Sequence, residues 1–225
     1  MPSRGHGLAW GGGYGAVTPR AAPYGSRDPV LDANPIAIGV PMRDRPPVVV
    51  DFATTALSGV KVSNVIKRGE SLPPRSIVDA QGTPTTDPNE FTNDGAYLPF
   101  GGEHGAHKGF GLMLAAELLG RAFSGADSFA EEGRGPALMR HQGVSFWVAR
   151  IDALGSADAF YRDAGAIVER LIGSRPSHGH DQVAYPGLPE AQAHERADRD
   201  GVEIEERVWD EISAAARKVG VDWES

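Results

Sequence analysis

The apolar positions of the chain fall into short blocks with two distinct periods. Asn34-Pro-Ile-Ala-Ile-Gly-Val-Pro41 alternates small and branched apolar residues between prolines, which predicts a strand bracketed by residues that cannot continue it. Pro46-Pro-Val-Val-Val-Asp-Phe-Ala-Thr-Thr55 is a continuous apolar run ending in Asp51 and two threonines. That pattern predicts a strand buried on both faces, with polar groups at its carboxyl end. From Thr55 to Arg68 the period lengthens: Ala56, Leu57, Val60, Val65 and Ile66 recur at three-to-four spacing, and Gly69 follows where a left-handed stop is expected, so this stretch reads as a helix. Lys108 to Phe123 is strongly apolar with Glu117 as its sole acid, predicting a nearly enclosed helix. Gly143 to Ala149 alternates as a half-buried strand. Ser156 to Ile172 is an amphipathic helix with Phe160, Ala164, Ile167, Val168 and Leu171 inward and Gly173 as its stop. Val208 to Val219, with Gly220 beyond, makes a last helix.

The segments between these blocks carry the glycines and prolines. Residues 1–35 show no helical periodicity and read as loop and short strand. Residues 71–107 are punctuated by Pro73-Pro74, Gly82, Asp87-Pro88 and Gly101-Gly102, a long structured loop of the kind that carries function. Tyr185-Pro-Gly-Leu-Pro189 leads into a tract of mixed charge. With no internal repeat and no clean linker, the alternation of strands and helices predicts an α/β or α+β layer fold.

Composition narrows the function classes. The 225 residues are 40% hydrophobic and 23% charged, ordinary globular usage, and no stretch approaches the apolar length of a membrane span. A net charge of −8, from 22 basic and 30 acidic residues without a Lys/Arg cluster, disfavours a nucleic-acid partner. The absence of cysteine excludes disulfides, thiolate metal sites and a cysteine nucleophile. The opening residues have no apolar signal core, so a cytoplasmic protein is the expectation.

Three groups of residues could carry chemistry. Gly101-Gly-Glu-His-Gly-Ala-His-Lys-Gly109 enters an apolar helix. Its glycines permit close backbone approach, while a helix start and Lys108 together would favour a phosphate or carboxylate. A plain glycine-rich turn is the alternative, and a Walker loop is excluded because Gly109 follows the lysine. Asp51 with Thr54 and Thr55 could accept from ribose hydroxyls or cap the following helix. No G-x-G-x-x-G follows, which disfavours a Rossmann site. His104 and His107, and His178 and His180, have metal-like spacing but no evident third ligand, and no metal site is expected.

Taken in order, several of these segments resemble the malate/L-lactate dehydrogenase family, which includes ureidoglycolate, sulfolactate and imino-acid-reducing members. They are Asn34 to Pro41, Asp51-Phe-Ala-Thr-Thr55, Gly82-Thr-Pro-Thr-Thr-Asp-Pro88, Leu98-Pro-Phe-Gly-Gly102, His107-Lys-Gly-Phe-Gly-Leu112, Tyr185-Pro-Gly187 and Arg199-Asp-Gly-Val202. The likeness spans residues about 17 to 222.

The resemblance implies an α/β, mixed-sheet, non-Rossmann fold. It also implies a homodimeric oxidoreductase that moves a hydride between NAD (or NADP) and a small 2-hydroxy/2-keto or 2-imino acid. Carried over position by position, Asp51, Phe52 and Ala53 match the family's D-M-A cofactor segment, with Phe for Met. Lys108 matches the lysine of its K-G-Y loop, and Gly187, Leu188 and Pro189 match the turn after Y-P-G that meets the cofactor. Val17 stands where members often have Ser or Thr. Residues 1–225 would then form a single unit, the cofactor-binding and C-terminal part of the family fold, incomplete at its N-terminus. The S-H-G motif and second histidine that supply proton transfer in the family have no match, so no catalytic histidine is assigned and low activity is expected of the isolated chain. A later part of a longer dehydrogenase, a non-catalytic NAD(P)-binding or dimerisation module, and a decaying remnant are the three readings this leaves.

Overall fold

The computed structural model describes residues 5–14, 19–126 and 141–221. Its larger sheet has four strands in the order β3-β2-β1-β7, with antiparallel pairing throughout. These are β1 (Gly5–Tyr14), β2 (Ile36–Val40), β3 (Val48–Phe52) and β7 (His141–Arg150). β1 departs from the expected loop and short strand: it is ten residues long despite five glycines. Glycine is a poor strand former, and the strand is held by partners on both sides, Leu8 standing opposite Ile38 and Trp147, and Trp10 opposite Ile36 and Ser145.

Register sorts the side chains onto two faces. Leu8, Trp10, Ile36, Ile38, Val48, Val50 and Phe52 share one face. Val48 packs there with Met42, Ala164 and Val168, and Gly12 sits so close to the end of a helix that a Cβ would lie 2.7 Å from the Ala116 carbonyl oxygen. The other face carries Gly7, Ala9, Ala37, Gly39, Val49, Asp51, Phe146 and Val148. β3 is not buried on both faces. Among the described residues only β2 pairs with it, and Val49 and Phe52 are 39% and 38% exposed. β7 is also more open than half-buried, with Phe146 and Val148 75% and 76% exposed.

The expected long loop at 71–107 contains a second sheet, β4 (Ile77–Val78), β5 (Pro84–Thr85) and β6 (Ala96–Tyr97), in the order β5-β4-β6. It closes over a core of Ala21, Leu31, Leu57, Val62, Val65, Leu72, Ile77, Tyr97 and Met113. Burial of Tyr97 pushes its phenol up to about 12. The unfolded chain therefore releases this proton first, and folded stability should fall as pH rises from about 10 to 12, by about 2 kcal/mol. Alkaline unfolding curves should show this loss in the wild type and less of it in Tyr97→Phe.

Helix ends follow their caps. α1 (Gly59–Arg68) begins at Ser58, whose hydroxyl accepts from the Lys61 N–H, and ends at Gly69 with φ 66°. α2 (Gly102–Ala116) begins six residues before the expected start, and it continues as a π-helical turn over Glu117–Ala122. Leu112, Leu114 and Leu118 on it are exposed, so it is not enclosed by the described residues. α3 (Ala157–Ile172) runs between Ser156 and Gly173 as expected, but Ile167 and Leu171, expected inward, are exposed. The mixed-charge tract is itself a helix, α4 (Leu188–Asp200), and α5 (Glu206–Lys218) closes the described chain. No helix among the described residues is long and apolar enough to cross a membrane.

Candidate functional site

β3 connects the residues singled out in the sequence. At its carboxyl end Asp51 and Phe52 lead into Ala53 and Thr54. The Thr54 carbonyl accepts from the Phe100 N–H at 3.0 Å, and Leu98 accepts from the Ala56 N–H at 2.8 Å. Phe52 and Phe100 meet edge to face, ring centroids 5.4 Å apart. Phe100 in turn lies across α2 at Gly109, where any Cβ would collide with its carbonyl oxygen. The neighbouring residue is Lys108. Phe100 thus touches both Phe52 of the Asp51–Ala53 segment and Gly109, the residue after Lys108.

The third segment sits at the other end of the strand. The Val49 N–H donates to the Pro186 carbonyl at 2.9 Å, and the Tyr185 hydroxyl donates to the Pro46 carbonyl at 3.0 Å. Gly187 has φ 95° and lies against β3, so a Cβ there would stand 2.8 Å from the Pro47 oxygen and 2.9 Å from the Val49 nitrogen. Leu188 packs towards Met42, Val168 and Tyr185, its N–H donates to the Tyr185 carbonyl at 3.1 Å, and the Gly187 carbonyl accepts from the Ala191 N–H at 3.0 Å. From Val49 to Phe52 is about 10 Å at the rise of an extended strand.

Two alternatives from the sequence are settled by this geometry. Asp51 does not cap α1, because Ser58 does. The glycine-rich segment Gly101–Gly109 is not a loop before a helix but the first half of α2. Lys108 therefore stands about 9 Å along the axis from the helix start, and the unpaired N–H groups at Gly102 do not converge with its ammonium. Asp51 and Lys108 are both exposed, and neither has a hydrogen-bond or ion-pair partner among the described residues. A cavity of about 470 Å³ lies at the start of α2, lined by Arg27, Arg75 and Gln81 and by Gly102, Glu103 and Ala106 of the glycine-rich segment, and it includes none of Asp51–Ala53, Lys108 and Gly187–Pro189.

The histidine pairs are placed apart from this strand. His104 and His107 lie on α2 rather than in a loop, and the His107 ring faces Tyr24 at 6.0 Å. His178 and His180 flank a surface turn. Among the described residues no three His, Cys, Asp or Glu side chains converge as metal ligands. Val17 lies outside the described residues. Arg199 is occupied by Asp200 at 2.8 Å. Phe100 was not singled out as a site residue by the sequence, although it lies within the Leu98-Pro-Phe-Gly-Gly102 motif, whereas Thr54 was a candidate beside Asp51.

Comparison with known proteins decides the family. The profile of the malate/L-lactate dehydrogenase family matches residues 12–213. The chain belongs to the malate/L-lactate dehydrogenase family. It is 33% identical over 211 residues to an L-sulfolactate dehydrogenase of Methanothermobacter thermautotrophicus, covering 92% of this chain and 58% of that protein. An L-lactate dehydrogenase of Cupriavidus necator is 35% identical over 207 residues, with 90% and 57% coverage. A delta(1)-pyrroline-2-carboxylate reductase of Burkholderia ambifaria is 36% identical over 197 residues, with 85% and 54% coverage. Among solved structures, the sulfolactate dehydrogenase of Methanocaldococcus jannaschii superposes with a TM-score of 0.79 at 27% identity, over 98% of this chain and 61% of that one. The chain thus spans somewhat under three fifths of the length of the curated relatives it matches. The expected α/β fold of the malate/lactate dehydrogenase type is the fold observed, and among the described residues its larger sheet is antiparallel throughout, without a Rossmann βαβ crossover.

Proposed function

We propose that this chain binds NAD (or NADP) along β3 and serves an oxidoreductase that interconverts small 2-hydroxy and 2-keto, or 2-imino, acids. The observations that carry this reading are that Asp51 and Phe52 lie on β3, that Gly187 packs on the same strand at Pro47 and Val49, and that Phe100 touches both Phe52 and Gly109, the neighbour of Lys108. The residues fit a dinucleotide chemically. The unpartnered Asp51 carboxylate can accept from ribose hydroxyls, and the unpartnered Lys108 ammonium can meet a phosphate or the substrate carboxylate. Gly187 has no Cβ, so the turn that carries it can lie directly against β3. When bound, the nicotinamide supplies or accepts the hydride. The chain's part is to orient it and to hold the charges around it.

The relatives that act on lactate, sulfolactate and pyrroline-carboxylate support the substrate class. Residues 1–225 act in this reading as one cofactor-binding unit of a cytoplasmic homodimer, and the exposed apolar strand β7 supports self-association. Binding and turnover are separate tests. Titration of the purified chain against NADH and NADPH fluorescence should show saturable binding, and Lys108→Ala and Asp51→Asn should each weaken it about tenfold, the scale of one charge-assisted contact. Binding with no turnover of 2-hydroxy or 2-keto acids would leave a cofactor-binding module. No binding of either nucleotide would overturn the reading.

A further inference from the structure

We propose that Asn34 is a positioning residue that ties α2 to the carboxyl end of β3 and thereby fixes Lys108 relative to Asp51–Ala53; the inference rests on the cofactor reading above for its functional meaning. Asn34 is 1% exposed and lies two residues before β2. Its amide Nδ2 donates to the Met113 carbonyl on α2 at 3.0 Å. Its own carbonyl accepts from the Thr54 hydroxyl at 3.1 Å, and that hydroxyl also contacts the Ala33 carbonyl at 2.9 Å. The Thr54 N–H donates to Ala33 at 2.7 Å. One buried residue therefore joins the residue directly after Ala53, through its backbone carbonyl, to the helix that carries Lys108, through its side-chain amide.

The attachment point on α2 is a particular one. Met113 lies five residues after Lys108, about 7.5 Å along the axis. In a regular helix its carbonyl would accept only from the Glu117 N–H, but that N–H is shared between Met113 and Leu114, and the π-helical turn begins at Glu117. The Asn34 amide is thus an extra donor at the place where α2 changes its winding, and π turns of this kind are frequent at functional sites. The widened turn presents Gly120 to β1, where a Cβ would collide with the backbone of Gly11 and Gly12. Helix, sheet and Asn34 consequently share one arrangement.

The residue type is constrained twice. Asn34 has φ 38°, in the left-handed region that few residues other than glycine, asparagine and aspartate adopt. It also precedes Pro35, whose ring restricts it further. Its Oδ1 is buried and has no hydrogen-bond partner among the described residues. A residue retained only for its backbone would need no amide here, and glycine would serve.

Asn34→Gly separates the two requirements, since it accepts the backbone angle and deletes the amide. Three samples are compared: wild type, Asn34→Gly, and Val78→Ala, a buried substitution in the small sheet that serves as a control for lost stability. NADH affinity by fluorescence should fall about tenfold in Asn34→Gly and stay within twofold of wild type in Val78→Ala. Amide hydrogen exchange over residues 114–122 should accelerate at least tenfold in Asn34→Gly, with α3 unchanged. Wild-type exchange rates at 114–122 together with wild-type affinity in Asn34→Gly would overturn the inference. If the wild-type chain binds no nicotinamide nucleotide, the cofactor reading falls, and the exchange data alone decide whether Asn34 tethers α2.

Discussion

Gly187→Ala should abolish measurable cofactor binding and lower the melting temperature of the chain by several degrees. Two costs add at this position. A Cβ at φ 95° is strained wherever it is placed, by about 1–2 kcal/mol. It would also stand 2.8 Å from the Pro47 oxygen, 2.9 Å from the Val49 nitrogen and 3.2 Å from the Val49 Cβ. Two of those atoms are backbone and cannot turn aside as the end of a long side chain could. The relief available is to lift the Tyr185–Pro189 turn from β3, which breaks the bond from the Val49 N–H to Pro186 and opens the pocket that holds Tyr185. The total should reach about 3 kcal/mol, in the upper range for single substitutions. Thermal unfolding and NADH titration of the same sample check both halves. A variant that melts lower but binds normally would remove the turn from the cofactor site, whereas normal melting would show that the turn does not depend on close packing against β3.

What the sequence revealed of this molecule depended on where local signals and tertiary demands agree. β2 was legible because prolines bracket it, and α1 and α3 because Gly69 and Gly173 sit where the apolar period stops. β1 was not legible. Its glycines carry no strand preference, and what makes it a strand is pairing with β7, more than a hundred residues away in the chain. α2 was read six residues short because Gly102, Gly105 and Gly109 look like a loop. At Gly109 the glycine is required by packing against Phe100 rather than by a turn. α4 has no buried residue and no apolar stripe, so no periodicity could have marked it. The continuous apolar run of β3 cannot distinguish a central strand from an edge strand, which is why its exposure was missed. The site followed the same division. Asp51, Lys108 and Gly187 were assigned by family resemblance, whereas the contacts that link their segments, Phe100 with Phe52 and Gly109, Asn34 with Met113 and Thr54, and Gly187 with Pro47 and Val49, join residues distant in the chain and leave no local signal.

Arg121→Met should be among the most destabilising substitutions in the chain, because it leaves a carboxylate without its counter-charge. The Arg121 side chain is only 5% exposed and meets Glu117 at 3.1 Å, one turn away across the π-helical segment. The second oxygen of Glu117 accepts the Gly13 N–H at 2.7 Å, and the guanidinium carbon lies 5.5 Å from the centre of the Tyr14 ring. Glu117 therefore joins α2 to the end of β1 while Arg121 neutralises it. Removing one member of a buried pair typically costs about 3–5 kcal/mol, whereas replacing both members costs far less. Glu117→Gln can still accept from Gly13 but has no charge to compensate, so the double variant Glu117→Gln/Arg121→Met should recover most of the loss. Urea unfolding of the two single variants and the double variant closes the cycle, with a coupling energy of about 2 kcal/mol or more expected. Additive effects would mean that water reaches the pair. The substitution should also loosen the amides of the π-helical turn itself, since the contact of Gly120 with β1 and the ion pair hold the same six residues, Glu117–Ala122, against the sheet.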